Sequence, residues 1–328
     1  MPDSKILVRA TNWVGDAVMS LPALRAIRQS YPNAEIVVLA KPWVADLYSR
    51  ERFADRVIPY TARTLADKIR FAWSLRREHF DRAILLQNAF EAAMVARIAG
   101  IPERIGYNRD GRGWLLTRAV EVPKKGEIPA HERFYYLELL KRAGIIADVP
   151  KVDAIRLDGL SGKRDNVVGI SPGAAYGTAK RWIPESFAAT AVRLARDFGA
   201  SVSVFGTRDE RALCQQVTVM IAAEGIEVHN YAGETSLSAF IDLAAACRVF
   251  VTNDSGAMHI ASAAGTPTVA IFGATDHIGT GPTGPLSRIV REPVDCAPCL
   301  LRECPIDHRC MTRVKPDVVV IAAREVAL

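Results

Sequence analysis

The sequence predicts an α/β protein with two parallel sheets, each covered by helices. Three observations carry that expectation. Short apolar runs alternate with helical patterns from residue 5 to about residue 107, the mark of strand–helix–strand crossovers. The alternation then lapses through a basic stretch containing Gly and Pro, followed by a linker-like segment. It restarts at "NVVGISPGA" and runs to a last helix, and 328 residues suffice for two domains with a core each.

In the first run "KILVRA" reads as a strand, "DAVMSLPALRAIRQSY" as a helix, "AEIVVLA" as a strand and "PWVADLYSR" as a short helix. Strand "RVIPY", a helix over 64–78, strand "RAILLQ", a helix over 89–99 and strand "RIGY" follow. Pro22 inside the first helical pattern predicts a kink or an early break. The stretch that begins "NRDGRGW" predicts loops, then an amphipathic helix from His131. Residues 150–166 read as a linker in which "IRL" is an edge-strand candidate.

The second run repeats the pattern. Strands are expected at "NVVGIS", "ASVSVFG", "EVHNYAG", "RVFVTN" and "PTVAIFG". Helices are expected at "PESFAATAVRLARDFG", "DERALCQQVTVMIAAEG", "LSAFIDLAAAC", "DSGAMHIASAAG" and "KPDVVVIAAREVAL". The expected domains are therefore 1–155 and 156–315, with a terminal helix over 316–328. In two-domain α/β enzymes a ligand lies between domains, beyond the carboxyl ends of the strands.

An apolar fraction of 49% with 24% charged residues is ordinary for a soluble protein. No run of 18 apolar residues occurs, and a strand with Asp3 beside it opens the chain. Neither a signal peptide nor a membrane span is indicated, so a cytoplasmic location is expected. Residues 1–164 carry 28 Lys/Arg against 19 Asp/Glu, a net of +9, and residues 165–328 carry 14 against 17, a net of −3. The basic half suits an anionic partner, either a phosphorylated acceptor or an anionic membrane surface. An Arg-rich solvated surface explains the same charge equally well. No zinc-finger, KH or ribonucleoprotein motif accompanies it, which argues against nucleic acid.

Three candidate sites fall at expected strand ends. In "TNWVGDAV", Gly15 permits a tight turn and Asp16 opens a helix. There Asp16 is a good N-cap, and exposed amides favour its ionised form, the form a general base needs. In "SPGAAYGTAKRW", Gly173 and Gly177 allow close backbone approach, and Lys180 follows as a point charge. The spacing is not that of a P-loop, yet such a turn suits a diphosphate. In "VTNDSGAMHIASAAGTP", Asp254, Ser255 and Gly256 start a helix with His259 one turn in. Free amides at a helix start bind anions, and an ordinary Asp/Ser cap is compatible with that use. Glu210, in the "FGTRDE" turn, is placed to accept from a ribose hydroxyl. No GxSxG, HExxH, DFG or GxGxxG occurs. One acid in the first half and two anion sites in the second suit transfer from a nucleotide-activated donor, with Lys180 and helix amides stabilising the leaving diphosphate.

Cys214 and Cys247 sit in helical patterns and are expected in the core. Cys296, Cys299, Cys304 and Cys310 follow a C-x2-C-x4-C-x5-C spacing with His308 among them. That spacing suits zinc or an iron–sulfur cluster, and four free thiols are the other reading. Two disulfides would be unusual in a reducing cytoplasm.

Together "VRATNWVGDAVMSLPALRAIR", "SPGAAYGTAKRW", "NDSGAMHIASAAGTPTVAIFG" and "CAPCLLRECPIDHRCM" resemble the bacterial ADP-heptose:lipopolysaccharide heptosyltransferases. The resemblance covers essentially the whole chain. The cysteine-rich tail and the "NWVGD" form point toward the members that add the second heptose. The resemblance implies a GT-B fold, two Rossmann-like domains facing a central cleft, with the terminal helix returning toward the first domain. It implies inverting, metal-independent transfer from ADP-heptose to the first heptose of the inner core on Kdo2-lipid A. No cofactor is then required for catalysis, and a structural zinc at the four clustered cysteines is compatible with that. The partners implied are a lipid-linked oligosaccharide acceptor and, peripherally, the cytoplasmic face of the inner membrane, with the protein a monomer.

Residue by residue, Asp16 matches the family's general base and Lys180 the lysine that neutralises the donor phosphates. Asp254, Ser255, Gly256 and His259 match the segment holding the diphosphate and heptose, and Glu210 matches an acid near the adenosine ribose. Where the first enzyme of the pathway carries two threonines before its lysine, this chain has Ala175 and Tyr176. Thr178 or backbone amides are left to make those contacts. Three other readings remain at this point: a heptosyltransferase I or III with another core acceptor, a sugar-nucleotide epimerase of the same architecture, or a non-enzymatic phosphate- or nucleotide-binding module.

Overall fold

The computed structural model describes residues 4–327. The chain divides into two compact units, the first ending at Val152 and the second beginning at Asp153.

In the first unit the order is β1 (Lys5–Arg9), α1 (Val14–Ser30), β2 (Glu35–Ala40), α2 (Pro42–Ser49), β3 (Arg56–Pro59), α3 (Leu65–Leu75) and β4 (Arg82–Leu85). It continues with α4 (Phe90–Ile98), β5 (Glu103–Tyr107), β6 (Arg118–Val120) and α5 (Glu132–Arg142). The six strands form one parallel sheet in the order β3-β2-β1-β4-β5-β6. Leu7, Val37, Leu39, Ala83 and Leu85 project from it into a core closed by Ala72, Leu75, Ala93 and Ala96 of α3 and α4. On the other face α1 packs against α5.

The second unit contains β7 (Val167–Ser171), α6 (Pro184–Phe198), β8 (Ser201–Val204), α7 (Arg211–Ala223), β9 (Val228–Asn230) and α8 (Leu237–Ala246). Then come β10 (Val249–Asn253), α9 (Gly256–Ala263), β11 (Thr268–Phe272), the single turn α10 (His277–Thr280), β12 (Ser287–Arg291), the single turn α11 (Arg309–Thr312) and α12 (Pro316–Ala327). Its sheet is also parallel, in the order β12-β11-β10-β7-β8-β9. Strands β10 and β11 are buried along their whole length, as expected of central parallel strands covered on both faces. Helix α12 packs on α6 and against β10, β11 and β12, with Val319, Val320, Ala323 and Val326 in the core.

Counted from its own first strand, each sheet has the doubly wound order 3-2-1-4-5-6. In that order the chain reverses direction across the sheet between the first and fourth strands, and the loops leaving their carboxyl ends open a crevice for ligand. The crevices here lie at the ends of β1 and β4 and of β7 and β10.

Several local expectations change. Helix α1 is unbroken through Pro22. One lost backbone bond there is outweighed by burial of Val18, Leu21, Leu24 and Ile27 along the same helix. Asp16 is not the N-cap: α1 opens two residues earlier, with Trp13 at the cap position and Asp16 in the first turn. "IRL" forms no strand. Instead Ile155 and Leu157 are buried, with the Ile155 amide donating to Thr283 Oγ1 at 2.9 Å and the Leu157 amide to the Ala263 carbonyl at 2.9 Å. Strands β6 and β12, both at sheet edges, were not foreseen; each buries a single residue, which leaves almost no periodic signal.

Candidate active site

In the second unit, the carboxyl ends of β7 and β10 are joined by Asn253, which is fully buried. Its Nδ2 donates to the carbonyls of Pro172 (2.8 Å) and Gly173 (3.3 Å), and its Oδ1 accepts the Trp182 amide at 2.9 Å. Asn253 therefore holds both ends of the turn that carries Lys180. The Lys180 ammonium lies 2.6 Å from Asp254 Oδ2, with only 14% and 4% of the two side chains exposed. Thr275 Oγ1 donates to the same oxygen at 2.5 Å. The Lys180 ammonium also lies 4.8 Å from the centre of the Tyr176 ring.

Helix α9 begins one residue beyond Ser255, and no side chain caps it. The expected Asp/Ser cap is not made, because the Asp254 carboxylate is turned to Lys180 and Thr275. Ser255 Oγ lies 3.3 Å from Thr252 Oγ1. Gly256 is the first helical residue and His259 is buried in the first turn. The helix thus directs its positive end and its opening amides toward the Lys180 turn. Thr178 is exposed at the start of a 3-10 turn, Thr178–Lys180.

Glu210 sits just beyond β8, the neighbour of β7, and is 8% exposed. Its Oε2 accepts from the Thr207 amide (2.8 Å) and Oγ1 (2.9 Å) in a capping box. The carboxylate lies against Gly173, where an added Cβ would come within 2.2 Å of it. One carboxylate oxygen is thus committed to the helix start, and the group as a whole is pressed against the β7 turn.

The cysteine-bearing segment braces this turn, a role that spacing alone does not reveal. Tyr176 Oη donates to the Leu300 carbonyl at 2.8 Å, and the Ala179 amide donates to the Arg302 carbonyl at 2.9 Å. His308 Nε2 donates to the Ala179 carbonyl at 2.9 Å. A Cβ on Gly177 would fall 2.2 Å from the Arg302 carbonyl oxygen, so the two backbones approach as only glycine allows. Cys296, Cys299, Cys304 and Cys310 line one small cavity beside His308, and all four are free thiols. Among the described residues no group of three or more His, Cys, Asp or Glu is arranged to hold a metal ion, so the zinc expectation gains no support. Burial pushes the Cys310 thiol up to about 11.

In the first unit, β1 leads through Asn12 and Trp13 to Asp16. The Asp16 charge is felt by three groups: it helps raise Glu132, Tyr48 and Tyr136, although burial is the larger cause in each. Glu132 opens α5, so the packing of α1 on α5 sets a second carboxyl, raised above its ordinary value, in the field of Asp16. This neighbour was not singled out from the sequence.

A basic group at the same sheet edge was also missed. Buried Arg9 donates to the Ala10 carbonyl at 2.6 Å and to Asn12 Oδ1 at 3.0 Å, and lies 5.0 Å from the centre of the Tyr60 ring. Lys41 lies 4.4 Å from the same ring. Burial, then Arg9, Lys68 and Arg63, lower the Lys41 ammonium below its ordinary value, against Glu91, which pairs with Lys68. Arg9 ends β1 and Lys41 directly follows β2, which is the only signal the sequence offered for them. Arg112, fully buried, ties the ends of β4 and β5 by donating to the Tyr107 carbonyl (3.0 Å), the Gln87 carbonyl and Asn88 Oδ1 (3.3 Å). Among the described residues no helix is long and apolar enough to cross a membrane.

Two doubly wound units, one with a lysine-bearing turn beside an uncapped helix start and the other with an acid at its switch point, define a two-domain nucleotide-binding α/β protein. Comparison with known proteins narrows the class. Glycosyltransferase family 9 (heptosyltransferase) matches residues 68–309. Lipopolysaccharide heptosyltransferase 2 of Escherichia coli is 34% identical over 309 residues, 88% of either chain. Lipooligosaccharide heptosyltransferase 2 of Haemophilus ducreyi is 31% identical over 315 residues, again 88% of either chain. The solved structure of E. coli ADP-heptose lipopolysaccharide heptosyltransferase II superposes with a TM-score of 0.82 and 29% identity, covering 98% of both chains. The chain belongs to glycosyltransferase family 9, the heptosyltransferases. Its two Rossmann-like units are those of a GT-B-type glycosyltransferase.

Proposed function

We propose that the protein transfers heptose from ADP-heptose to the first heptose of a lipopolysaccharide inner core, with inversion at the anomeric carbon. The observation that carries the reading is the Lys180–Asp254 pair at the open end of α9, at the switch point of the second unit. It is a built anion site, and its positive charge is already held in place before any diphosphate arrives. The relatives named above make ADP-heptose the donor to test.

In this reading the ADP phosphates take the amides that open α9 and the Lys180 ammonium, while Asp254 and Thr275 keep that ammonium oriented. Ser255, Gly256, Thr178 and buried His259 complete the donor site. The free face of Glu210 is left for the ribose, beside Gly173. Asp16 takes the proton of the acceptor hydroxyl as its oxygen attacks the anomeric carbon. The bond to the diphosphate breaks, and its electron pair leaves with ADP. Negative charge thus grows where Lys180 and the helix end can meet it. The basic group Arg9, Lys41, Arg63 and Lys68 receives acidic groups of the acceptor, whose lipid end keeps the protein, as a monomer, at the cytoplasmic face of the inner membrane.

The test is incubation of the purified protein with ADP-heptose and defined core acceptors carrying zero or one heptose. Added mass on the one-heptose acceptor alone is the expected result. Addition to the zero-heptose acceptor would assign the first transfer instead, and conversion of the donor without any acceptor would replace transfer by epimerisation.

A further inference from the structure

Helix α3 and the turn after it carry more exposed apolar surface than their packing explains. One side of α3 closes the core of the first unit through Ala72 and Leu75. On another side Leu65, Ile69 and Trp73 are 62%, 38% and 54% exposed. They stand at i, i+4 and i+8 and so form one continuous stripe along the helix.

The most exposed charges around this stripe are positive. Arg63, Arg70, Arg76 and Arg77 are all exposed on the segment. The Arg76 guanidinium stacks 3.8 Å from the centre of the Trp73 ring, while its Nε donates to the Ile98 carbonyl at 2.8 Å. The two acids of the segment are already engaged: Asp67 in the capping box with Thr64 and in a 3.5 Å pair with the outward Arg70, whose side chain stays 80% exposed, and Glu78 with Lys5 and Arg56. Four of the five tryptophans are exposed and all four lie in the first unit, whereas Trp182 of the second is buried.

An apolar stripe with a tryptophan at its edge and arginines along its border is the composition of a helix lying in a lipid–water interface. We infer that α3 docks on an anionic phospholipid surface through Leu65, Ile69 and Trp73, with Arg70, Arg76 and Arg77 meeting the headgroups. The inference deepens the membrane-side reading above and rests on it. None of these residues belongs to the proposed donor or acceptor site. The complementarity of charge decides for an anionic surface over a second copy of this chain, whose stripe would bring the same arginines against its own.

The experiment is co-sedimentation of the full chain with vesicles of phosphatidylethanolamine and phosphatidylglycerol, compared with phosphatidylcholine vesicles, at low and high salt. The unaltered protein is expected to partition at least about tenfold more strongly to the anionic vesicles at low salt, an advantage that salt reduces. Ile69→Gln/Trp73→Gln and, separately, Arg70→Glu/Arg77→Glu are expected to cut that partition roughly tenfold, with melting temperature unchanged because all four side chains are exposed. Partition of either variant within twofold of the unaltered protein would overturn the assignment. So would equal binding to the neutral vesicles, or a dimer that only the Ile69→Gln/Trp73→Gln change dissolves. The vesicles contain no sugar acceptor, so their result stands apart from the transfer reaction. Heptosyl transfer to a water-soluble acceptor, expected unchanged in both variants, reports on the proposed function separately.

Discussion

The two units share a strand order and differ at the carboxyl ends of their strands. In the second, β7 and β10 deliver glycines, an uncapped helix and the Lys180–Asp254 pair. In the first, β1 through β4 deliver Asp16 and four bases, and the outer surface keeps four exposed tryptophans. One scaffold therefore presents a lysine–carboxylate pair beside an uncapped helix start, and the other presents an acid after its first strand and a separate cluster of bases with Glu91 beside it. In the proposed function, that difference gives holding of the donor to the second unit and activation of the acceptor to the first.

The largest expected effect separates those two assignments. Asp16→Asn should lower transfer by about 10²–10⁴-fold, the usual share of a general base, while calorimetry finds ADP-heptose affinity within about twofold of the unaltered protein. Unchanged turnover would move the base elsewhere. Lys180→Ala should do the reverse, weakening donor binding by about tenfold or more. It should also lower stability by about 3 kcal/mol, because Asp254 is left charged and buried. Adding Asp254→Asn should restore the melting temperature without restoring affinity. A single variant that binds donor normally would remove Lys180 from the phosphate site.

Smaller effects probe the scaffolding. Asn253→Ala removes three buried hydrogen bonds at the Lys180 turn, with an expected cost of about 2–3 kcal/mol by denaturant titration and a parallel loss of donor affinity. A cost near zero would show that the turn holds itself. The smallest effect belongs to Glu132→Gln. Burial and Asp16 raise the Glu132 carboxyl, so its neutral form favours the folded state. That contribution is full below the ordinary glutamate value and is lost as pH rises through the raised one. The variant should melt slightly higher than the unaltered protein above pH 7, with the gain fading toward pH 4.5; a gain independent of pH would point to packing instead.

Much of the site was legible locally. "SPGAAYGTAK" and "NDSGAMH" each stand where a strand gives way to a turn, and small residues with a charge mark such points. Capping rules misjudged both helix starts, for one reason. A cap is chosen by competition among partners, and Asp254 finds Lys180 and Thr275, residues far from it in sequence. Asp16 lost its cap role because the chain enters α1 three residues earlier, at Trp13. Asn253 was inside a quoted motif, yet its task depends on Pro172 and Gly173, some eighty residues away.

Strand and helix identity, the doubling of the architecture and the acid, lysine and helix-start motifs were written in local pattern. They could be, since periodicity and turn chemistry act over a few residues. The pairing of Lys180 with Asp254, the field that Asp16 casts on Glu132, the basic group of β1–β4 and the bracing of the Lys180 turn by Arg302 and His308 were decided only in the folded chain. Each depends on which strand lies beside which. That order is set by the burial of whole sheet faces, and no short stretch of sequence contains it.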